Sequence, residues 1–378
     1  MPTRRVDLND YSIDPRDLAD DAATVLRDGG LVALPTETVY GLAAKLDVAA
    51  AREKLGKLRD GATTPLTPHL AEPGDLDRFG VDPGEAGAKL VSKLWPGPVA
   101  LVFELPDVAA REKVAKQHGV PVGDLFSSDG RITLRCPDDL FARAVIDRAG
   151  QPLVLTRAGL GKAAAASKPP TVDELSPLGV DLLVDAGPAR YARPSTVIRV
   201  APDGASWAVV REGIYDKRIV ERLLRTTVLF LCSGNTCRSP MAMAIGRKVL
   251  AEKLGTTVEG LGEKGFDVVS AGTGAMPGMR ATPAAADAIA ELGGDLASHR
   301  SQPLDVALIH RSDLIVAMGE GHREAVLAMV PSAAGKTTLL DPSGDVEDPI
   351  GSSPETYRRM AKSFERLVRD RLEAAALP

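Results

Sequence analysis

A cysteine and an arginine six positions apart, Cys232 and Arg238, follow the apolar segment Val228–Leu231. A loop this short can fold around one tetrahedral anion and direct backbone N–H groups at its oxygens. The planar guanidinium of Arg238 can bind two oxygens, and the helix predicted from Ser239 towards Leu250 adds its positive dipole end. This field favours a Cys232 thiolate that attacks phosphorus and forms a phosphocysteine, so the sequence predicts phosphoryl transfer to water. The expected phosphate-binding residues are Ser233, Gly234, Asn235, Thr236, Cys237 and Ser239.

An Asp-Pro pair, Asp348 and Pro349, could supply the proton that this chemistry needs. The pair is typical of a turn, and a long helical pattern follows it. A positioned carboxylic acid can protonate the leaving group and then, as a carboxylate, activate water. We therefore assign the catalytic roles to Cys232, Arg238 and Asp348. The plainer alternative makes Cys232 a buried thiol at a strand end and Asp348 a turn residue ahead of a helix.

The C-terminal part, residues 226–378, resembles the low-molecular-weight protein tyrosine phosphatase family. Besides the cysteine loop and the Asp-Pro pair, the resemblance covers Ser270–Thr273, Ala297–Ser301 and Ser312–Met318. It implies a doubly wound parallel sheet, a phosphorylated protein as substrate, and a reaction that needs no metal or cofactor.

Two positions bear on the phosphorylated residue. Members specific for tyrosine usually carry an aliphatic residue at the position of Thr236, and aromatic residues after Asp-Pro. Thr236 makes this chain similar to the protein arginine phosphatase branch, in which the threonine favours attack on phosphoarginine. Ile350 stands where that branch commonly has phenylalanine. A hydroxyl at Thr236 could equally satisfy a neighbouring amide, so phosphoarginine and phosphotyrosine both remain open.

Cys237 could protect the nucleophile. It lies five residues after Cys232, close enough in a curled loop to form a disulfide with an oxidised Cys232 before irreversible oxidation. The third cysteine, Cys136, is expected at a buried strand end, and three cysteines in 378 residues do not indicate a disulfide framework. With no leader-like start and no apolar run of membrane length, the sequence predicts a cytoplasmic protein without a membrane partner.

The chain is too long for one phosphatase domain. Its 378 residues, 44% of them hydrophobic, suffice for two cores. The formal net charge is −5, and the first 225 residues are roughly neutral, so the charge balance does not indicate nucleic-acid binding. A charged segment without glycine or proline, Tyr215–Leu224, predicts a helix. We expect a helical linker at 214–225 between domains at 1–213 and 226–378.

A second polar cluster lies near the N-terminus. An amphipathic helix at Asp17–Asp28 and a buried strand at Leu31–Leu34 are predicted, separated by two glycines. Hydroxyls, a carboxylate and a glycine follow in Pro35–Leu42, where α/β sheets tend to bind ligands. The alternative is a turn followed by a helix cap, with Thr36 or Thr38 as the capping residue.

Nearly all of the N-terminal part resembles the YrdC-like threonylcarbamoyl-AMP synthase family. The collinear segments are Pro35–Leu42, Lys57–Arg59, Pro65–Leu66 with His69, Leu94–Pro98, Arg135–Pro137, Pro194–Val197 and Val210–Gly213. The resemblance implies an α/β domain with a twisted mixed sheet. It also implies that threonine, bicarbonate and ATP are joined into threonylcarbamoyl-AMP, with release of pyrophosphate, for tRNA modification.

The residue types suit anionic substrates. The resemblance implies ATP, ordinarily with Mg²⁺, as a substrate of this domain, and possible contact with tRNA. Lys57 and Arg59 could address the triphosphate from one side of an extended segment. The nucleotide-binding residues are expected to be Lys57, Arg59, Ser195 and Arg211, and the threonine-binding residues to be Thr36, His69, Arg135 and Thr156.

Three departures from the family pattern leave the activity of this domain open. Thr156-Arg157-Ala158 replaces Ser-x-Asn, Thr64 stands where asparagine is common, and Ala100 replaces a threonine. Each lost polar contact costs roughly 1 kcal/mol. One hypothesis is therefore a bifunctional enzyme. The second is a phosphatase with a catalytically degenerate N-terminal module that binds nucleotide or RNA, and the third is an inactive scaffold.

Overall fold

The computed structural model describes residues 3–58, 65–150, 153–157 and 170–375. The chain divides into two compact units, one ending at Val220 and the other beginning at Glu221. Elements are numbered in chain order. Helix α8 (Lys217–Leu223) lies inside the expected linker at 214–225. The domain limits of 1–213 and 226–378 stay predictions.

The N-terminal unit is an α/β structure around a mixed sheet, as the sequence predicts. Its strands are β1 (Arg4–Asp7), β2 (Val32–Leu34), β3 (Gly41–Lys45), β4 (Pro68–His69), β5 (Val99–Glu104), β6 (Arg131–Arg135), β7 (Leu153–Thr156), β8 (Leu182–Asp185), β9 (Thr196–Val200) and β10 (Trp207–Arg211). Within the described ranges they form one ten-stranded sheet in the order β1-β8-β2-β3-β7-β4-β6-β5-β9-β10. Strand β2 runs parallel to β8 and antiparallel to β3.

Helices cover this sheet. They are α1 (Pro15–Arg27), α2 (Ala49–Lys57), α3 (Gly84–Leu94), α4 (Val108–Gln117), α5 (Val122–Leu125), α6 (Leu140–Ala149) and α7 (Val172–Leu175). Helix α1 begins where the Asp14 side chain accepts a hydrogen bond from the backbone N–H of Arg16. Its apolar stripe, including Leu18 and Leu26, packs in one buried cluster with Val145 and Ile146 of α6. The predicted helix and the strand after it are thus confirmed.

The C-terminal unit is built on a parallel sheet. Its strands are β11 (Thr226–Cys232), β12 (Phe266–Gly272), β13 (Leu314–Ala317) and β14 (Thr337–Leu339). Its helices after α8 are α9 (Arg238–Lys253), α10 (Pro283–Ala290), α11 (Val306–Arg311), α12 (Glu320–Met329) and α13 (Pro354–Ala374). Over the described residues the four strands pair in the order β12-β11-β13-β14, all parallel.

Strand β11 is buried on both faces, which explains its unbroken apolar sequence. Val228 and Phe230 belong to the cluster that contains α9 and α13, while Leu229 and Leu231 pack with residues of α11 and α12. Helices therefore lie on both sides of the sheet, as predicted for a doubly wound fold. Gly246 allows α9 to approach closely, because a Cβ there would lie 2.8 Å from the Phe230 ring. In the described part of the chain, no helix combines the length and apolar character that crossing a membrane requires.

Candidate active sites

The loop after β11 is held in a tight curl by Asn235. This residue is fully buried and has φ of +53°, a left-handed conformation that asparagine tolerates better than most residues. Its side-chain Nδ2 donates hydrogen bonds of 2.9 Å to the hydroxyls of Ser239 and Ser270, and its Oδ1 accepts one from the N–H of Gln302. His299 Nε2 donates to the Asn235 carbonyl at 2.8 Å. Four hydrogen bonds of Asn235 therefore fix the conformation of the loop.

The neighbouring glycine of β12 lets this loop pass close to the sheet. Gly272 pairs with Cys232 in the parallel register. A Cβ on Gly272 would lie 2.4 Å from the carbonyl oxygen of Ser233 and 2.9 Å from the N–H nitrogen of Asn235. The conformation of the loop thus depends on a residue without a side chain on the adjacent strand.

The Cys232 thiol lies at the bottom of a cleft. Its Sγ is 2.9 Å from the Ser239 hydroxyl and accepts a hydrogen bond from the backbone N–H of Asn235 at 3.3 Å. The thiol also lies at the end of β11, just before the N-terminus of α9. The cleft has a volume of about 310 Å³, and we call it the Cys232 cleft. Its lining includes Cys232, Ser233, Thr236, Cys237, Arg238 and Asp348.

Arg238 and Asp348 meet at the Cys232 cleft. The Arg238 guanidinium, with 8% of its side chain exposed, donates to the Val346 carbonyl at 3.1 Å and to the Ser233 hydroxyl at 3.4 Å. Its Nη2 also donates to Asp348, whose carboxylate is 45% exposed. The structure thus brings together the three residues assigned from sequence, although 110 positions separate Arg238 and Asp348. A phosphoryl group bound by Arg238 would compete with Asp348 for the same Nη2.

A second cavity, of about 480 Å³, opens on the N-terminal sheet, and we call it the Arg211 cavity. Its lining includes Thr36, His69, Arg135, Thr156, Ser195 and Arg211. Of the predicted ligand-binding residues of the N-terminal part that the structure describes, all except Lys57 therefore surround one space.

Arg135 and Glu37 form a buried ion pair beside this cavity. Arg135 Nη2 donates to Glu37 Oε1 at 2.8 Å and to the Thr38 hydroxyl at 2.9 Å. Within the described residues, Arg135 Nε and Glu37 Oε2 are buried without a hydrogen-bond partner. Buried polar atoms normally have partners, so the pair keeps capacity to bind a polar ligand. The sequence predicted the place of Arg135 but not its pairing with Glu37.

Two further residues that the sequence assigned to threonine binding are held by local bonds. The Thr36 hydroxyl donates to the Val39 carbonyl at 2.6 Å and lies 2.9 Å from the Thr38 hydroxyl. His69 Nδ1 contacts the Thr67 carbonyl at 2.9 Å. Burial, reinforced by the Arg135 charge, lowers the pKa of His69 to about 3, so its imidazole is neutral near pH 7.

Two further arginines, Arg157 and Arg211, line the Arg211 cavity. Arg211 Nη2 donates only to the Ser195 carbonyl, at 3.1 Å, among the described contacts. Burial, followed by the charges of Arg157 and Arg135, lowers the pKa of Arg211 from its ordinary value. The exposed Arg157 lines the cavity and, within the described residues, has no carboxylate partner. From the sequence, Arg157 was considered only as part of the segment that replaces Ser-x-Asn. Its positive charge was the feature that could have identified it as a cavity residue.

Comparison with known families agrees with the division of the chain into two parts. Residues 24–213 match the family model Sua5/YciO/YrdC, described as telomere recombination. Residues 227–376 match the family model described as low molecular weight phosphotyrosine protein phosphatase. The chain belongs to both families. The two matches follow one another along the chain, so the protein is a fusion of a Sua5/YrdC part and a phosphatase part.

Individual relatives support each part. The phosphatase part is 36% identical over 141 residues to a probable low molecular weight protein-tyrosine-phosphatase, EpsP, of Ralstonia solanacearum, covering 37% of this chain and 83% of the relative. It is 35% identical over 147 residues to the protein-arginine-phosphatase of Bacillus subtilis, covering 38% and 91%. The Sua5/YrdC part is 29% identical over 184 residues to the threonylcarbamoyl-AMP synthase of Bacillus subtilis. That match covers 48% of this chain but only half of the synthase.

Lys57 does not lie where the sequence suggested. It is the last residue of α2 rather than part of an extended segment, its side chain is 72% exposed, and it pairs with Glu53 at 2.8 Å. The i, i+4 spacing of a helix explains this pair. Arg59, Thr64 and Ala158 lie outside the described residues. Ala100, the remaining departure, lines the Arg211 cavity of the Sua5/YrdC part with its methyl group.

The second cysteine of the phosphatase loop faces the core. Cys237 Sγ lies 3.4 Å from the hydroxyls of both Thr282 and Tyr357. Burial first, and then the contact with Cys237, raise the pKa of Tyr357 to about 12. Cys232 and Cys237 are both free thiols that line the same cleft. The protective disulfide between them stays a prediction.

Replacing Asn235 should destabilise the phosphatase part. Asn235→Ala removes the side-chain bonds to Ser239, Ser270 and Gln302 and leaves buried polar atoms without partners, so we expect a loss of about 3 kcal/mol in the free energy of unfolding. Asn235→Gly, which tolerates positive φ, is the matched control for backbone strain. Denaturant unfolding of both variants gives the test. A glycine variant as stable as the original would show that conformation, not hydrogen bonding, is what asparagine supplies.

Proposed function

We propose that the chain is a bifunctional enzyme with two separate catalytic sites. One is a cysteine-dependent protein phosphatase, and the other makes threonylcarbamoyl-AMP from threonine, bicarbonate and ATP for tRNA modification. The observation that carries the first activity is the convergence of Cys232, Arg238 and Asp348 on one cleft. For the second, it is the cavity lined by both Arg135, which pairs with Glu37, and Arg157, which has no carboxylate partner among the described residues.

The phosphatase reaction follows from the geometry of the Cys232 cleft. The Cys232 thiolate attacks the phosphorus atom, and the bond to the leaving group breaks as Asp348 donates a proton to it. Arg238 and the backbone N–H groups of the loop stabilise the charge on the transferring oxygens. The resulting phosphocysteine is then attacked by water. Asp348 accepts a proton from that water. The S–P bond breaks, which regenerates the Cys232 thiolate and releases inorganic phosphate.

Phosphoarginine is the substrate that we favour for this cleft. Thr236 lines the cleft, and its hydroxyl lies 3.7 Å from the Cys237 sulfur. Within the described residues this hydroxyl makes no hydrogen bond to a backbone amide, which was the alternative role open from sequence. It is therefore available to a guanidinium leaving group. Ile350, 69% exposed, offers an aliphatic rim to the same cleft, without the aromatic ring that would sandwich tyrosine.

Removing the Thr236 hydroxyl should change this preference. We expect Thr236→Val to lower kcat/KM for a phosphoarginine peptide about tenfold, the value of one hydrogen bond, with little effect on a phosphotyrosine peptide. Valine keeps the size of the side chain, so packing is preserved. Thr273→Val, at another threonine of the cleft lining, is the control. Equal losses on both peptides would contradict the role given to Thr236.

The Arg211 cavity suits the synthase substrates by its charges and donors. We assign threonine to Thr36, His69, Arg135 and Thr156, with the neutral His69 imidazole as a hydrogen-bonding group. Arg211 and Ser195 face the nucleotide. Because Arg157 and Arg211 have no described carboxylate partner, the cavity has positive charge that a polyphosphate could neutralise. Mg²⁺ would accompany ATP as part of the substrate.

Arg211 should contribute directly to nucleotide affinity. We expect Arg211→Ala to weaken ATP binding about tenfold at low salt and less at high salt, because one charge-assisted contact is lost. Arg199→Ala, an exposed arginine of β9 that does not line the cavity, is the matched control. Calorimetric titration with ATP checks both variants. Identical weakening by the two substitutions would indicate a general charge effect and contradict the assignment.

A binding module remains the second candidate for the N-terminal part. Ala100 presents a methyl group to the cavity, and the polar pattern around Thr156 differs from the synthase family. Such a cavity could bind nucleotide or RNA without turnover. ATP binding without threonine-dependent release of pyrophosphate would favour this candidate.

A further inference from the structure

His322 lies beside the Cys232 cleft and is not used in the mechanism above. It belongs to the first turn of α12, and its Nε2 is 2.9 Å from the Ser233 hydroxyl. Ser233 lines the cleft and also accepts a hydrogen bond from Arg238 Nη2 at 3.4 Å. The Ser233 hydroxyl thus links His322 to Arg238, the residue expected to bind the phosphoryl group.

The other ring nitrogen determines how this bond is made. His322 Nδ1 is buried and, among the described residues, has no hydrogen-bond partner. A proton on Nδ1 would be an unsatisfied buried donor, which is costly, so the tautomer with the proton on Nε2 is favoured. Nε2–H then donates to the Ser233 oxygen.

Ser233 is left with one free hydrogen. Its oxygen accepts from both Arg238 and His322, so its own O–H is not needed for either bond. Because Ser233 lines the cleft, this O–H can donate to an oxygen of a bound phosphoryl group. A serine hydroxyl without such partners would rotate freely. The two hydrogen bonds to the Ser233 oxygen instead fix the direction of its O–H.

The charges around the ring are compatible with this role. Burial, followed by the Arg238 charge, lowers the pKa of His322, while Asp345 and Asp348 act in the opposite direction. The ring is therefore neutral near pH 7 and adds no charge beside the thiolate. If it is protonated in acid, Nε2–H still donates to Ser233, so the bond persists.

We propose that His322 is a positioning residue of the phosphatase site, which fixes the Ser233 hydroxyl as a hydrogen-bond donor to the bound phosphoryl group. The inference rests on the proposed phosphatase function. It assigns Ser233 a side-chain role in addition to its place in the loop backbone.

A double-mutant cycle on the full chain tests this proposal, because His322 should act only through Ser233. The variants are His322→Ala, Ser233→Ala and the double variant, with the exposed His310→Ala of α11 as the histidine control. The readouts are kcat/KM for p-nitrophenyl phosphate and the inhibition constant of orthovanadate, a phosphate analogue. We expect each single variant to lower kcat/KM about tenfold and to raise the inhibition constant about tenfold. The double variant should show changes no larger than these.

Each other outcome has a definite meaning. Losses that multiply to about a hundredfold in the double variant, or a fully active Ser233→Ala, would overturn the proposal. Ser233→Thr keeps a hydroxyl and should retain activity, which separates this role from packing. If His322→Ala lowers the melting temperature, His322→Gln, which keeps a side-chain N–H donor, should restore orthovanadate affinity; failure to do so contradicts the proposal. An unaltered chain without phosphatase activity would instead refute the proposed function.

Discussion

Cys232→Ser is expected to abolish phosphatase turnover, with a loss of about 10⁴-fold or more. A serine hydroxyl is not ionised near pH 7 and lacks the nucleophilicity of a thiolate, while Arg238 and the loop N–H groups would still bind phosphate. The fold should be retained, because serine preserves the size of the side chain. Steady-state hydrolysis of p-nitrophenyl phosphate measures the loss, and orthovanadate binding reports whether the loop survives.

The control for this prediction is Cys136→Ala. Cys136 is a buried free cysteine of the other unit, and burial raises the pKa of its thiol to about 12, so it is a poor nucleophile. Its replacement should leave phosphatase activity unchanged. Full activity of Cys232→Ser would rule out the phosphocysteine mechanism. In the unaltered protein, stopping the reaction with acid should trap phosphate covalently bound to the enzyme.

Asp348→Asn should cost about 10²- to 10³-fold in kcat, because the leaving group loses its proton donor. The loss should depend on the leaving group. For p-nitrophenyl phosphate, whose leaving group needs little protonation, we expect a smaller effect than for a phosphopeptide. The amide would also weaken the ion pair with Arg238, which frees that guanidinium, so KM should not rise.

A series of aryl phosphates with leaving groups of increasing pKa measures this dependence. Asp341→Asn is the control, because Asp341 bonds to Ser343 in a nearby turn and does not line the Cys232 cleft. A uniform loss across the series would mean that Asp348 acts only by binding Arg238. That result would contradict its assignment as general acid.

The local parts of both sites could be predicted from sequence. The Cys232–Arg238 loop is contiguous, so its residue types and spacing alone specify a phosphate-binding curl. Asp348 could be found because the Asp-Pro pair is itself a local signal. In the N-terminal part, the residues after β2 were expected at the end of a strand, where the structure places them.

The remaining features depend on tertiary packing. Lys57 could not be placed, because a short charged segment does not show whether its last residues continue a helix or extend. The bond between His322 and Ser233 joins residues 89 positions apart, and neither carries a motif that points to the other. Likewise, Glu37 was only one of several polar residues in its segment. Its pairing with Arg135 is evident only when β6 is placed in the sheet.

Threonine-dependent pyrophosphate release, measured together with phosphatase activity on the same full-length protein, tests the central claim most directly. With ATP below saturation, Mg²⁺, threonine and bicarbonate, we predict release by the original chain and by Cys232→Ser, and strongly reduced release by Arg211→Ala. Phosphatase activity should be retained by the original chain and by Arg211→Ala, and lost in Cys232→Ser. A protein that dephosphorylates its substrates but releases no pyrophosphate in response to threonine would contradict the claim of two enzymes in one chain.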